Sequence, residues 1–228
     1  MSTVIIVATY AVIAMFYVRL TLHALRWLEA AVRSPTGRVW NTMSTVRAVA
    51  SAALDIAVLR RLLVVNPALW IGEWIFHASL FLIILRHLRY FTDVAPPWVL
   101  WAQMPGWIAG FLLPIALAYI LGIRLLTGQE RFSSKANLLT LINVFFIGAT
   151  GLLMSTKYPV DLVAVKLFAL GIVTFSPSSP PQSTLLMVHL ALVLGLILYI
   201  PSHVLSAPFV MLDARYRDRE RQEVMHDR

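Results

Sequence analysis

The sequence predicts an all-α fold, an integral membrane bundle of five transmembrane helices, and three observations predict it. Of the 228 residues, 59% are hydrophobic and only 13% are charged, with a mean hydropathy of +0.77. A soluble domain carries about 25% charged residues, so this much apolar surface in so short a chain calls for the bilayer as its solvent. The apolar residues gather in five runs, each near the ~20 residues that a spanning helix needs. The basic residues then concentrate in alternate connections between the runs, the pattern that orients multi-pass proteins.

The first run, Val4 to Leu22, has no positive segment before it and no small-residue cleavage site after it; Arg19, Arg26 and Arg33 lie at its far end. It is expected to be a retained span rather than a signal peptide. Within the connection that follows, Val39 to Val65 alternates apolar residues with Arg47, Asp55, Arg60 and Arg61. That pattern suits an amphipathic helix on the cytoplasmic membrane surface, where it would form a docking shelf. The second span runs from Ala68 to Leu85. After it, Pro96, Pro97 and Pro105 break any helix, and Trp98, Trp101 and Trp107 supply the aromatics of a membrane interface. The third span is Trp107 to Ile123 and the fourth Leu138 to Met154. Val160 to Phe175 is apolar but interrupted by Asp161 and Lys166, and reads as a helix lying at the interface or partly re-entering. Ser176 to Ser183 is a Ser/Pro-rich loop, and Leu185 to Ile200 is the fifth span. Residues 1–212, with the 39–65 segment included, form one transmembrane domain, and residues 213–228 a charged tail; there is no internal repeat and no soluble domain.

Fourteen Lys and Arg residues fall in the segments 24–66, 124–137 and the tail, against Arg86, Arg89, Lys157 and Lys166 on the other side. The positive-inside rule therefore places the N-terminus outside and the C-terminal tail in the cytoplasm. The same distribution accounts for the net charge of +8 without nucleic acid as a partner. The chain has no cysteine, which excludes disulfides, iron–sulfur clusters held by this chain and covalently attached c-type haem. A metal site must use His, Met or carboxylates.

Six histidines are present. His226 lies in the charged tail, and His23, at the inner end of the first span, reads as an interfacial residue. The other four form two pairs on two spans. His77 and His87 are ten residues apart, roughly 15 Å along a helix axis, and His189 and His203 fourteen apart, roughly 21 Å. Each pair shares a broad helix face. The second span runs from inside to outside and the fifth in the opposite sense, so His87 comes level with His189 near the outer surface, and His77 with His203 near the inner one. A b-type haem takes one axial His from each side of its plane, so the pattern offers two haem sites stacked across the membrane, with iron ligands His87 and His189 at the outer one and His77 and His203 at the inner. Zinc fits less well, because no third ligand completes a tetrahedron at either level. Packing, interhelical hydrogen bonds or a proton path are other uses of intramembrane histidines. Glu73, one turn before His77, is either a hydrogen-bond partner for a ligand histidine or an interfacial carboxylate.

The strings Phe76-His77, Arg86-His87-Leu88-Arg89-Tyr90-Phe91 and His203-Val204-Leu205-Ser206-Ala207-Pro208 resemble the membrane cytochrome b family of respiratory nitrate reductase gamma subunits, over nearly the whole chain. The Arg-His-Leu-Arg-Tyr string resembles one branch more closely, the cytochrome b subunit of the sulfite-reductase-associated membrane complex and related heterodisulfide-reductase-like complexes. Arg86 stands where nitrate reductases carry small residues, and the second histidine pair is about one helical turn closer than theirs. The resemblance implies an oxidoreductase subunit in a bacterial or archaeal cytoplasmic membrane, with two haem b. It would pass electrons between a membrane quinone at the outer haem and a cytoplasmic iron–sulfur partner subunit at the inner one, in dissimilatory sulfur metabolism or, alternatively, in nitrate respiration.

On that reading Arg86 and Arg89 are either the cationic partners of the outer haem's propionates or snorkelling interfacial residues, while Arg124 and Arg131 mark the cytoplasmic boundary rather than serve the inner haem. Arg89, Tyr90, Asp93, Lys157 and Asp161 are the outer-side polar residues from which a quinone site would be drawn. Two other classes, a transporter using the histidines as a proton path and a haemless membrane anchor, compete with the cytochrome.

Overall fold

The computed structural model describes residues 2–32, 50–51, 53–55, 57–128 and 135–203. It is helical throughout, with no strand among the described residues. The helices are α1 (Ser2–Val32), α2 (Arg60–Val65), α3 (Pro67–His87), α4 (Pro97–Trp101), α5 (Gln103–Leu126), α6 (Lys135–Thr156), α7 (Leu162–Val173) and α8 (Thr184–His203), with a 3-10 turn at Leu88–Tyr90. Five of these, α1, α3, α5, α6 and α8, are long and apolar enough to cross a membrane. They contain the five predicted runs, four of them extended by a few residues and α1 continuing ten residues past Leu22. The stretch expected at the interface is the 12-residue α7, too short to cross.

The chain divides into two compact units, one of Met1–Val12 and Asn66–Leu196, the other of Ile13–Val65 and Ile197–Arg228. In the first unit, the start of α3 is set by Asn66, whose side chain accepts a hydrogen bond from Leu69 N at 3.0 Å, and by Pro67 at the first helical position. α3 packs along α5 with a glycine at each end of the seam. A Cβ on Gly72 would lie 2.7 Å from Tyr119 Cδ1 and 2.8 Å from Ile120 Cγ1, and one on Gly106 would lie 2.7 Å from Arg86 Cβ. The early residues of α3 thus meet the late residues of α5 and the reverse, an antiparallel pair. Tyr119 extends the seam by donating to Ala68 O at 3.0 Å. The core behind it is Leu113 and Leu117 of α5 with Val144 of α6, and Phe76, Leu80, Ile83, Leu141 and Leu196 pack against them. Gly148 of α6 lets Leu113 approach, its would-be Cβ 3.0 Å from Leu113 Cδ2. Asn143 of α6 donates to Leu192 O of α8 at 3.3 Å.

α7 is capped by Asp161, whose Oδ1 accepts from Val163 N and Ala164 N at 2.9 and 3.2 Å. It ends in a Schellman turn, with Ser176 N donating to Gly171 O at 2.8 Å and Phe175 in the left-handed region at φ +57°. Phe175 stacks on Tyr10, and Tyr10 donates to Ile172 O at 3.1 Å. These contacts hold the start of α1 against the end of α7.

In the second unit, Arg19 of α1 donates to Leu198 O of α8 at 2.7 Å. Pro201, buried inside α8, cannot donate to the carbonyl four residues back. Within the expected 39–65 helix, residues 50–51, 53–55 and 57–58 are helical, Leu59 at φ +52° interrupts the run, and α2 follows from Arg60. A left-handed residue cannot continue a right-handed helix. Residues 39–49 of that predicted shelf, the 213–228 tail, Arg131 and His226 lie outside the described residues.

Candidate haem-ligand site

α3 carries two of the four predicted ligands. The ring of His87 directs Nδ1 at Ile83 O, 2.7 Å away, and His77 directs Nδ1 at Glu73 O, also 2.7 Å away. Both partners are carbonyls one turn back, where helical side chains point. A carbonyl only accepts, so Nδ1 carries the proton in each ring and Nε2 is left unprotonated in the neutral form. This is the tautomer a haem-ligating imidazole requires.

His189, near the start of α8, reaches Thr150 of α6: Thr150 Oγ1 and His189 Nδ1 are 2.8 Å apart. Gly151 lies beside the same ring, its would-be Cβ 3.4 Å from His189 Cε1. An electrostatic interaction links His189 to His87, and both residues belong to the first unit. His203 closes α8, but its side chain lies outside the described residues, and so does any description of the predicted inner pair. No group of three or more His, Cys, Asp or Glu that could hold a metal ion is found among the described residues. Two axial histidines are fewer than that.

Around His87 the charge is positive. The guanidinium groups of Arg86 and Arg89 both act electrostatically on its ring and on each other. Arg89 Nη1 donates to Gln103 Oε1 at 2.6 Å, Nη2 donates to Tyr90 OH, and the guanidinium lies 4.7 Å from the Tyr90 ring centre. Gln103 is held in turn by donating to Val99 O at 3.0 Å. Arg89 Nε is buried without a hydrogen-bond partner among the described residues. A buried N–H of a cation is costly to leave unmade, and here it is a donor suited to an anionic group beside His87. Tyr90 meets the His87 ring edge-on at 5.9 Å.

The other predicted quinone-site residues divide. Asp93 is exposed in the loop after the 3-10 turn, and its carbonyl accepts from Lys166 Nζ of α7 at 2.6 Å. Lys157 is exposed after the end of α6. Asp161 is occupied as the cap of α7. The carboxylate of Glu73 goes to Arg124 of α5, 2.8 Å away, and is 3.9 Å from His77 Nδ1. Its backbone oxygen, not its side chain, holds the histidine. Thr150, Gly151 and Gln103 had not been singled out from the sequence. Thr150 carried no signal there, since threonines are ordinary in spanning helices and its partner is 39 residues away.

Over 149 residues the chain is similar to two proteins, each called Hdr-like menaquinol oxidoreductase cytochrome b-like subunit. It is 36% identical to that of Archaeoglobus profundus, over 58% of this chain and 44% of the relative. It is 27% identical to that of Archaeoglobus fulgidus, over 58% of this chain and 45% of the relative. The chain is a multi-pass membrane protein. It matches less than half the length of each of these curated relatives. No family model and no solved structure matches it.

Proposed function

We propose that this chain is a dihaem b-type cytochrome, the membrane subunit of a larger oxidoreductase, passing electrons between a quinone pool and a cytoplasmic iron–sulfur partner subunit. The observation that carries the reading is that His87 and His189, on separate helices, interact electrostatically, with His87 Nδ1 on Ile83 O and His189 Nδ1 2.8 Å from Thr150 Oγ1. Haem supplies reversible one-electron chemistry at its iron. The chain's residues supply the rest. His87 and His189 are the axial ligands at this end, and His77 and His203 those at the other. Arg86 and Arg89 neutralise the propionates, with the orphaned Nε of Arg89 as one donor.

The two relatives' names contain menaquinol and Hdr-like, which favours a menaquinol substrate and the heterodisulfide-reductase-like branch, in sulfur metabolism, over nitrate respiration. The basic connections favour an orientation with the His87 end at the outer face of a prokaryotic cytoplasmic membrane. The quinone headgroup then binds beside Tyr90 and Asp93, where protons can leave to water. Lys166 holds that loop by its backbone and leaves the Asp93 carboxylate for a proton. With no cysteine in the chain, the iron–sulfur cluster belongs to the partner.

The test is a dithionite-reduced minus oxidised visible spectrum of the purified full chain, with haem counted per chain. A sharp α band of b-type haem at about two haems per chain is expected. A folded, haem-replete preparation with no such band would sink the cytochrome reading and leave the proton-path or anchor alternatives.

A further inference from the structure

We infer that Thr150 is a positioning residue for His189: its hydroxyl accepts the Nδ1 proton, fixes the ring plane and tautomer, and raises the donor strength of Nε2 toward iron. The inference rests on the cytochrome reading and goes beyond it, because it assigns a role to a residue on a helix that supplies no ligand.

The proton count around Thr150 decides the direction of the bond. The hydroxyl has one proton, and two carbonyls of its own helix compete for it, Phe146 O at 2.7 Å and Ile147 O at 3.1 Å. Once that proton is donated, Oγ1 meets His189 Nδ1 at 2.8 Å with only lone pairs to offer. With the hydroxyl proton on a carbonyl of α6, the imidazole is the donor. Nε2 is left with its lone pair, and a chain of hydrogen bonds runs from the ring through the hydroxyl to the backbone of α6. Such chains polarise their members, and an acceptor on the distal nitrogen makes an imidazole a stronger ligand.

The site is built for this contact. Thr150 is buried, so water does not replace the hydroxyl. Gly151, next to it, leaves the His189 ring room to lie flat against α6, with a would-be Cβ at ordinary contact distance of 3.4 Å. His87 has no such arrangement: its Nδ1 uses a carbonyl of its own helix. The two ligands of one iron are thus held differently, one by its own backbone and one by a neighbouring helix. The orientation of His189 therefore depends on how α6 and α8 pack.

The experiment compares Thr150→Val, Thr150→Ala and Thr150→Ser with the unaltered full chain in detergent, and includes His189→Ala. Readouts are haem per chain, a spectroscopic redox titration, and the low-temperature electron paramagnetic resonance spectrum of the oxidised low-spin haems. Loss of a partner on the distal nitrogen typically costs about 10–100-fold in metal affinity. Val and Ala should raise the midpoint potential of one haem only, since a weaker donor stabilises the ferric state less. They should shift the resonance of that same haem, and speed its loss to apomyoglobin roughly tenfold. Thr150→Ser, which restores the hydroxyl, should return all three toward the unaltered values. Potentials and resonances unchanged in Val and Ala, with one haem absent in His189→Ala, overturn the inference and leave the cytochrome reading standing. Both haems retained in His189→Ala overturn the ligand assignment and the inference with it. If Val does not fold, Ala and Ser carry the comparison alone.

Discussion

His77 and His87 share one helix and one local geometry, Nδ1 on the carbonyl four residues back at 2.7 Å, yet their surroundings differ. Near His87 stand a second histidine from α8, two guanidinium groups and an unpartnered buried N–H. Near His77 stands a carboxylate already matched by a guanidinium, Glu73 with Arg124. At the His87 end, cationic groups converge with no ion-paired carboxylate among the described residues. At the His77 end the charge is closed within the α3–α5 pair. The difference teaches that the helix periodicity orients each ring, while what each ring can do depends on the neighbouring helices. An end with surplus positive charge is prepared for an anionic group, and the haem propionates are such a group.

The largest effect expected from this contrast is loss of a cofactor. His87→Ala and His189→Ala should each remove the same one of two haems. The difference spectrum should fall by about half in either variant, and the double variant should lose no more than the singles. A double variant that loses both haems would mean that the two residues serve different irons. It would break the pairing while leaving a dihaem protein.

The second test concerns the His77 end. Glu73 and Arg124 are largely buried, at 15% and 21% side-chain exposure, and both lie within helices apolar enough to span. Removing one partner of a buried ion pair costs about 3–5 kcal/mol, because the other charge is stranded. Arg124→Met and Glu73→Gln should each lower the thermal midpoint of the detergent-solubilised protein, and Glu73→Gln somewhat less, since the amide still accepts from Arg124. The double variant Glu73→Gln with Arg124→Met should recover much of the loss. Neither single variant should shift the potential of the haem at the His87 end. If the singles are as stable as the parent, the pair does not tie α3 to α5, and Glu73 is released for a role at His77.

How much of this could be read in the sequence follows from the range of each signal. The spans were legible because twenty apolar residues are a local property. Their starts were less so: Gln103, Met104 and Pro105 belong to α5 although they look like loop, because proline is tolerated in a first helical turn. The break at Leu59 and the left-handed Phe175 had no glycine or asparagine to announce them. His87 and His189 stood out because histidine is rare in apolar helices and because their depths follow from the direction of each span. Thr150 and the Glu73–Arg124 pair depend on the rotation of one helix against another. That is decided by close contacts such as Gly72 on Tyr119 and Gly148 on Leu113, which a single sequence does not display.

The smallest effect sharpens the His87 end. Asp161 is one of the five outer-side polar residues from which a quinone site would be drawn, and its carboxylate caps α7. α7 packs against the 3-10 turn that follows His87, so the cap also steadies the loop carrying Asp93. Asp161→Ala should cost about 1 kcal/mol, the ordinary worth of an N-cap. Asp161→Asn, with a side chain that caps equally well, should cost almost nothing. Quinol oxidation by the assembled enzyme separates the cap from a proton-handling role, because asparagine caps but does not carry a proton at neutral pH. Activity retained in Asn and modestly reduced in Ala is the expected result. It would move the proton route to Asp93, where the Asn variant should slow quinol oxidation with both haems in place. Activity lost in Asp161→Asn at unchanged stability would return Asp161 to the quinone site and make its capping bond incidental.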